Sequence, residues 1–302
     1  MTFPVDTGVP THAAVIPEVW AGKLLIKFYE ATVFTDISNT DYEGSIKSMG
    51  DTVHIRTTPD ITISDYVKGQ QLSHEQPQPA VVDLLIDKGK YWSFIAQYVD
   101  RAQFDYDFVD DWTNDASSQM KITIDSDVLG SVYADAATAN QGATAGAITS
   151  GFDLGTQAAP ESVTKANILD YIVDMGTVLD EQSVPEEGRY VVLPPWACGL
   201  VKKSDLQDAS LAGDGTSLLR NGRIGMIDRF TIYRSNQLAV TTGVTNALFG
   251  HKSAITFATQ LTENEGPLKH SDYFGDFYRG LQVFGYEVIK DTALGCFRCV
   301  KG

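Results

Sequence analysis

Apolar and polar positions change their period several times along the chain, and each change marks an element. After a proline start, Val19, Trp20, Lys23, Leu24 and Phe28 suggest a short helix over residues 17–29 in an otherwise arm-like first segment. Val53, Ile55 and Thr57 then alternate with His54 and Arg56, and Ile61 and Ile63 resume the same parity beyond Pro59. Pro59 cannot donate to a ladder, so this strand lies at an edge or is bulged there. Residues 67–79 are polar and carry Gly69, Pro77 and Pro79, and strand-like runs return over 80–86 and 91–99. The whole reads as a long hairpin with a loop tip. A lone two-stranded ribbon is marginally stable at best in water. Its cover comes either from the carboxy-terminal half of the chain or from another subunit, and its edges invite intermolecular contact.

From Asp100 the period becomes helical. Phe104, Phe108, Trp112, Ala116, Met120, Ile124, Val128, Val132 and Ala136 recur every fourth residue, with Asp100 and Gln103 placed to cap the start. Unbroken, this is a rod of roughly 54 Å. A spacing of four drifts about 40° per step against a 3.6-residue turn, so the stripe winds and different parts of it meet different partners. A break at Ser117-Ser118 is the alternative, since Ser, Asn and Asp are poor helix-interior residues.

Residues 142–155 form a Gly/Ala/Thr/Ser-rich connector and the best domain boundary. Residues 164–182 read as a helix burying Ile168, Ile172, Met175 and Leu179, stopped by Pro185. Residues 189–193 form a buried strand, and Pro194-Pro195 opens a helix with Trp196 and Leu200 on one face. A long loop spans 204–224. Strands follow over 230–233, 247–249 and 255–257, and residues 281–290 with 294–300 read as a closing hairpin around Asp291-Thr292.

Charge narrows the functional classes. With 39 acidic and 23 basic residues the net charge is -16, which argues against tight non-specific nucleic-acid binding. No apolar stretch reaches the roughly 18 residues of a membrane span, and the amino terminus does not read as a secretory signal. Cys296 and Cys299 make a lone C-x-x-C on a terminal strand, pointing to opposite faces, and read as buried small side chains. His12, His54, His74, His251 and His270 stand singly. Asp105, Asp107, Asp110, Asp111 and Asp115 read as the solvated face of the long helix, and Asp205, Asp208 and Asp214 lack calcium-loop spacing. Lys202, Lys203, Arg220, Arg223, Arg229 and Arg234 give the second half a local basic excess, as surface charge balance or as contacts to acidic neighbours or DNA. The sequence contains no catalytic or phosphate-binding motif, and no cofactor or metal is expected. A soluble hydrolase using Asp110, Asp111 and Asp214 is the competing class.

Taken in order, Ile16-Pro17-Glu18-Val19-Trp20, Gly50-Asp51-Thr52-Val53, Arg189-Tyr190-Val191-Val192-Leu193-Pro194-Pro195, and Leu219-Arg220-Asn221-Gly222-Arg223-Ile224-Gly225 followed by Phe230-Thr231-Ile232-Tyr233-Arg234-Ser235-Asn236 resemble the HK97-type major capsid proteins of tailed bacteriophages. The resemblance covers essentially the whole chain. It implies an α+β fold with an amino-terminal arm (1–49), an extended hairpin loop (50–97), a peripheral domain with a long spine helix (98–155), an axial α/β domain (156–275) and carboxy-terminal strands returning to the peripheral domain (276–302). It implies a shell subunit forming hexamers and pentamers of itself around packaged double-stranded DNA, without sequence-specific binding, in a virion assembled in the host cytoplasm. A separate scaffolding protein, a portal and a cement protein are the further partners it leaves open. Assembly contacts are expected at Lys68 and Gly69 in the hairpin tip and at Arg220 and Arg223 in the long loop. Relatives often carry Gly where this chain has Arg229, which implies a different turn before Phe230. No residue matches the Lys and Asn that some relatives cross-link; Lys68 is the first lysine to check. A cellular nanocompartment shell of the same fold is the close alternative.

Overall fold

The computed structural model describes residues 32–41, 52–59, 61–103, 109–204, 226–269 and 273–302. A single helical turn, α1 (Phe34–Ile37), is followed by β1 (Thr52–Arg56) and β2 (Val81–Leu85), which pair antiparallel with Thr52 opposite Leu85 and Arg56 opposite Val81. β3 (Lys88–Gln97) runs directly into α2 (Tyr98–Gln103), and α3 (Val109–Ser131) tightens into a 3-10 turn over Val132–Asp135. Then come β4 (Glu161–Val163), α4 (Ile168–Glu181), β5 (Arg189–Leu193), α5 (Pro195–Lys203), β6 (Met226–Ile227), β7 (Phe230–Arg234), β8 (Val240–Thr241) and β9 (Val244–His251). Two long strands, β10 (Ile255–Lys269) and β11 (Gly275–Val288), precede the last, β12 (Leu294–Lys301).

The main core surrounds a seven-stranded mixed sheet in the order β4-β12-β9-β5-β7-β6, with β8 beside β9. β5 lies between β9, antiparallel, and β7, parallel, and all five of its residues are buried. Sheets covered on both faces favour such continuous apolar runs, which is why Arg189–Leu193 does not alternate. The predicted face of α4 holds: Ile168, Ile172, Met175 and Leu179 are fully buried. Arg189 lies beneath the end of that helix, donating to the carbonyls of Gly176, Val184 and Pro185 and to Asp180 Oδ1 at 2.6 Å. It thereby ties the turn after the helix, through the Val184 and Pro185 carbonyls, to Gly176 and Asp180 within the helix.

A three-stranded antiparallel sheet, β10-β11-β3, forms the second layer system. α3 packs on one of its faces through Val109 and Trp112, and its far end enters the main core through Ile124, Val128 and Leu129. The β1–β2 hairpin is fastened to the opposite face by a small cluster of Ile55, Leu84, Ile86 and Ala258. Gly285 permits this approach, because a Cβ there would strike the Leu85 carbonyl.

Several expectations need correction. The run 91–99 does not close the hairpin with 80–86: β3 pairs with β11, Lys88 opposite Phe284 and Gln97 opposite Gly275. Ile61 and Ile63 belong to no strand. Helix begins at Tyr98 rather than after an Asp100 cap, since the Tyr98 amide donates to Phe274 O at 3.1 Å. Regular helix ends at Ser131, short of Ala136, and residues 104–108 lie outside the described segments. Ser117 and Ser118 do not break α3, which runs unbroken from Val109 to Ser131: propensity is a weak preference that tertiary packing overrides.

The last strands form no hairpin. β11 stays with the three-stranded sheet, a 3-10 turn over Asp291–Ala293 redirects the chain, and β12 enters the seven-stranded sheet between β9 and β4. Residues 276–302 therefore divide between the two sheets. The glycine-rich connector over 142–155 has a structure of its own. Ala145 and Phe152 bridge, Leu154 is buried, and Gly142, Gly146 and Gly155 adopt left-handed φ of 86°, 109° and 75°. Its glycines serve turns rather than flexibility. The helix expected over 17–29 and the loop over 205–224 lie outside the described residues.

Candidate assembly surfaces

The connection between β1 and β2 leaves the body of the molecule. Thr57 N donates to Ala80 O at 2.9 Å, Thr62 N to Glu75 at 3.1 Å, and Gln70 N to Val67 O at 3.0 Å. These bonds hold two extended arms and a terminal turn. Gly69 sits in that turn at φ 89°, a left-handed position that favours glycine, and Lys68 beside it has no carboxylate partner among the described residues. Every residue from 61 to 80 is exposed. Ile61 is 64% exposed, Ile63 90%, Tyr66 71%, Val67 63% and Leu72 61%, so this loop carries large apolar side chains with nothing of their own chain to cover them. Contiguous apolar exposure of this kind marks an interaction site.

The face of the three-stranded sheet away from α3 is the second surface. Its inner half lies under the β1–β2 hairpin. The outer half is open and forms a cleft of about 470 Å³ lined by Tyr91, Ser93, Glu263, Glu265, Arg279 and Leu281. Arg279 closes on Glu265 through Nε at 2.7 Å, whereas Glu263 has no cationic partner among the described residues. Tyr91 is exposed and Leu281 partly so.

On the other face, Trp92, Phe94 and Tyr278 stack, and the Trp112 edge meets Phe94 at 5.5 Å. Trp112 nevertheless remains 37% exposed. Among its described residues the stripe is buried toward its carboxy-terminal end, at Ile124, Val128, Val132 and Ala136, so its winding does separate two environments. Phe104 and Phe108 lie outside the described residues. Lys88 and Lys90 flank Asp127 of α3 at 3.7 and 3.8 Å, and Lys88 donates to Tyr286 at 2.5 Å. Burial works to lower the Lys88 pKa, but the tyrosine and Asp127 outweigh it and raise it.

The turn before β7 contains Arg229, where the resemblance implied a different turn. Asp228 and Arg229 have φ of 45° and 67°, the two positive values of a two-residue hairpin turn between β6 and β7. A non-glycine side chain is held there because Arg229 meets Asp180 and Glu186, each at 2.9 Å. Burial works to raise the Asp180 pKa, and the hydrogen bonds from Arg189 and Arg229 outweigh it and hold that carboxyl below its usual range. No sequence signal identified this clamp, since its members are far apart along the chain.

The other candidates separate. Cys198, Cys296 and Cys299 are free and buried, and burial pushes their thiols up to about 11, 11 and 12. His54 pairs with Asp83 across β1 and β2, and His251 Nδ1 accepts from Ser253 N at 3.1 Å. Asp110 and Asp111 stand exposed in the first turn of α3, Asp115 is half-buried, and Asp105, Asp107, Asp205, Asp208, Asp214, Arg220 and Arg223 lie outside the described residues. Among the described residues no group of three or more His, Cys, Asp or Glu side chains could hold a metal, and no helix is long and apolar enough to cross a membrane.

A compact sheet domain that carries an extended loop with no cover from its own chain has the architecture of a subunit in a larger structure. A family model described as phage capsid protein matches residues 81–296. The chain belongs to the phage capsid protein family, and its α+β fold is that of the HK97-type major capsid structural proteins of phage virions. A solved structure from Mycobacterium phage Che8 is 28% identical, covering 95% of this chain and 98% of that one at a TM-score of 0.77. The capsid structure of cyanophage P-SCSP1u is 18% identical, covering 96% and 94%, at a TM-score of 0.72. The mature capsid of bacteriophage PhiM1 is 14% identical, covering 93% and 91%, at a TM-score of 0.66. No curated protein sequence matches.

Proposed function

We propose that copies of this chain interlock as hexamers and pentamers into a closed icosahedral shell around double-stranded DNA, with a purely structural and non-catalytic role, assembling in the host cytoplasm. The observation that carries this reading is the exposed loop from 61 to 80, whose apolar side chains are covered only if it lies on an adjacent copy. The Lys68-Gly69 turn at its tip, and Arg220 and Arg223, act as assembly contacts. The amino-terminal arm, loop, peripheral and axial units are the working parts of this subunit, with β12 completing the axial sheet. A net charge of -16 supports a container that does not adhere to its cargo.

Electron microscopy of the purified protein tests the reading: closed particles are expected, and removal of residues 67–78 abolishes them while leaving a folded, soluble subunit. Normal particles from the shortened chain, or a wild-type protein that stays monomeric at high concentration, would reject it. Nuclease-resistant DNA inside native particles separates a virion from a cellular nanocompartment.

A further inference from the structure

We infer that residues 33–39 brace the joint between the two sheet systems, that Asp125 is the positioning residue that seats this brace, and that the joint so held sets the curvature of the shell. This deepens the shell reading and rests on it. Two short strand crossings connect the sheets. Residues 252–254 carry the chain from β9 to β10, and residues 289–293 carry it from β11 to β12. The amides of Ile289 and Lys290 both donate to the Ala254 carbonyl, at 2.8 and 3.3 Å, which ties the crossings into one line. Hinges are built from a few element-terminal residues of this kind, and bodies that meet along such a line rotate about it unless a contact off the line holds them.

Residues 33–39 supply that contact. The amides of Val33 and Phe34 donate to Asp125 Oδ1 at 3.0 and 2.9 Å. Asp125 lies on α3 and is fully buried, so an amide that lost this acceptor would be costly to leave unmade. At the other end, Asn39 lies against the first residues of β10, directly after the crossing at 252–254. Its amide donates to Ile255 O at 2.9 Å, its carbonyl accepts from Phe257 N at 2.9 Å, and its Oδ1 accepts from Thr256 Oγ1 at 2.8 Å. Between these ends Phe34 packs on Phe257 with ring centres 4.9 Å apart, and Ile37 is enclosed in the main core. The segment thus joins α3, the hinge side of β10 and the core of the larger sheet. In a closed shell every copy repeats the same contacts, so the angle held at this joint passes into the angle between neighbours, and a small change in it becomes a different particle radius.

The test sizes particles of wild type, Asp125→Ala, Asp125→Asn and Asn39→Ala by electron microscopy and follows hydrogen exchange of residues 33–39 in the subunit. Asp125→Ala should speed exchange at Val33 and Phe34 roughly tenfold and spread the particles from one diameter to several. Asp125→Asn, whose side-chain carbonyl still accepts from both amides, should keep their protection and the single diameter. Asn39→Ala removes only the bond from Thr256 and should shift both readouts the same way by less, which keeps the inference testable if Asp125→Ala does not fold. Released amides with wild-type diameters would overturn the inference and leave the shell reading intact. Unchanged exchange in Asp125→Ala and Asn39→Ala would overturn it too, as would diameters that spread in Asp125→Asn while its amides stay protected. Absence of particles from wild type would instead reject the shell reading.

Discussion

The seven-stranded sheet and the extended loop obey opposite rules. Within the sheet, Tyr190, Val191, Val192, Leu193, Phe249 and Phe297 are fully buried, and even the guanidinium of Arg189 is enclosed and satisfied by four acceptors. Along the loop, Ile61, Ile63, Tyr66, Val67 and Leu72 face solvent, although burying each in full would contribute about 1.5–3 kcal/mol. One region completes its packing inside the chain; the other leaves its apolar side chains uncovered, which the proposed shell would bury against a neighbour. The difference teaches that the residues holding the subunit together are distinct from those of the exposed loop, so on the proposed reading mutations should affect folding or assembly without the other.

The largest expected effect lies in the sheet. Phe297→Ala, or Phe249→Ala beside the space that Gly295 leaves for its ring, should cost about 3–5 kcal/mol in denaturant unfolding of the subunit. A loss below about 1 kcal/mol would mean that this sheet is not the stabilising core. Next comes the clamp: Arg189→Met leaves the Val184 and Pro185 carbonyls and Asp180 without this donor and should cost about 2–3 kcal/mol. Asp180, with its pKa lowered, contributes stability above its unfolded value of about 3.9, and this is lost as pH falls through the lower native value. Arg229→Ala should therefore flatten the acid limb of a melting-temperature profile.

Trp112→Ala should cost about 1–2 kcal/mol, less than a fully buried aromatic, because the side chain is partly open. A larger loss of subunit stability would contradict that exposure. The smallest effect on the subunit belongs to the loop, where Ile63→Ser and Val67→Ser should change unfolding by less than about 0.5 kcal/mol while lowering particle yield. Subunit destabilisation in step with lost assembly would erase the contrast between the two regions. His251, whose pKa burial lowers, adds a pH test within the sheet region. Its contribution is complete above about pH 6.5 and declines as pH falls through its lower native value, and His251→Gln should remove that dependence.

Much of the sheet domain was legible in the chain. The apolar run of Arg189–Leu193, the Pro-Pro helix start and the four buried positions of α4 are local signals that tertiary structure reinforced. Pairing was not legible. Residues 91–97 and 281–288 read as partners of their sequence neighbours, yet β3 crosses to β11 and β12 crosses to β9. Alternation indicates which face a strand buries but not which strand lies beside it. The helix stripe was read correctly as winding, but the partial exposure of Trp112, which meets Phe94 with its edge, was not legible from its place on the stripe. The loop was identified by its lack of any local cover, whereas the cleft was invisible, since Tyr91, Glu263 and Leu281 come together only through the sheet register.

Hydrogen exchange on dissociated subunits and on assembled particles tests the central claim most directly. Amides of residues 61–80 should exchange at nearly unprotected rates in the subunit and slow by orders of magnitude in the particle, while those of β5, β9 and β12 stay protected in both. Protection of the loop in the isolated subunit, or its continued rapid exchange in the shell, would contradict the account.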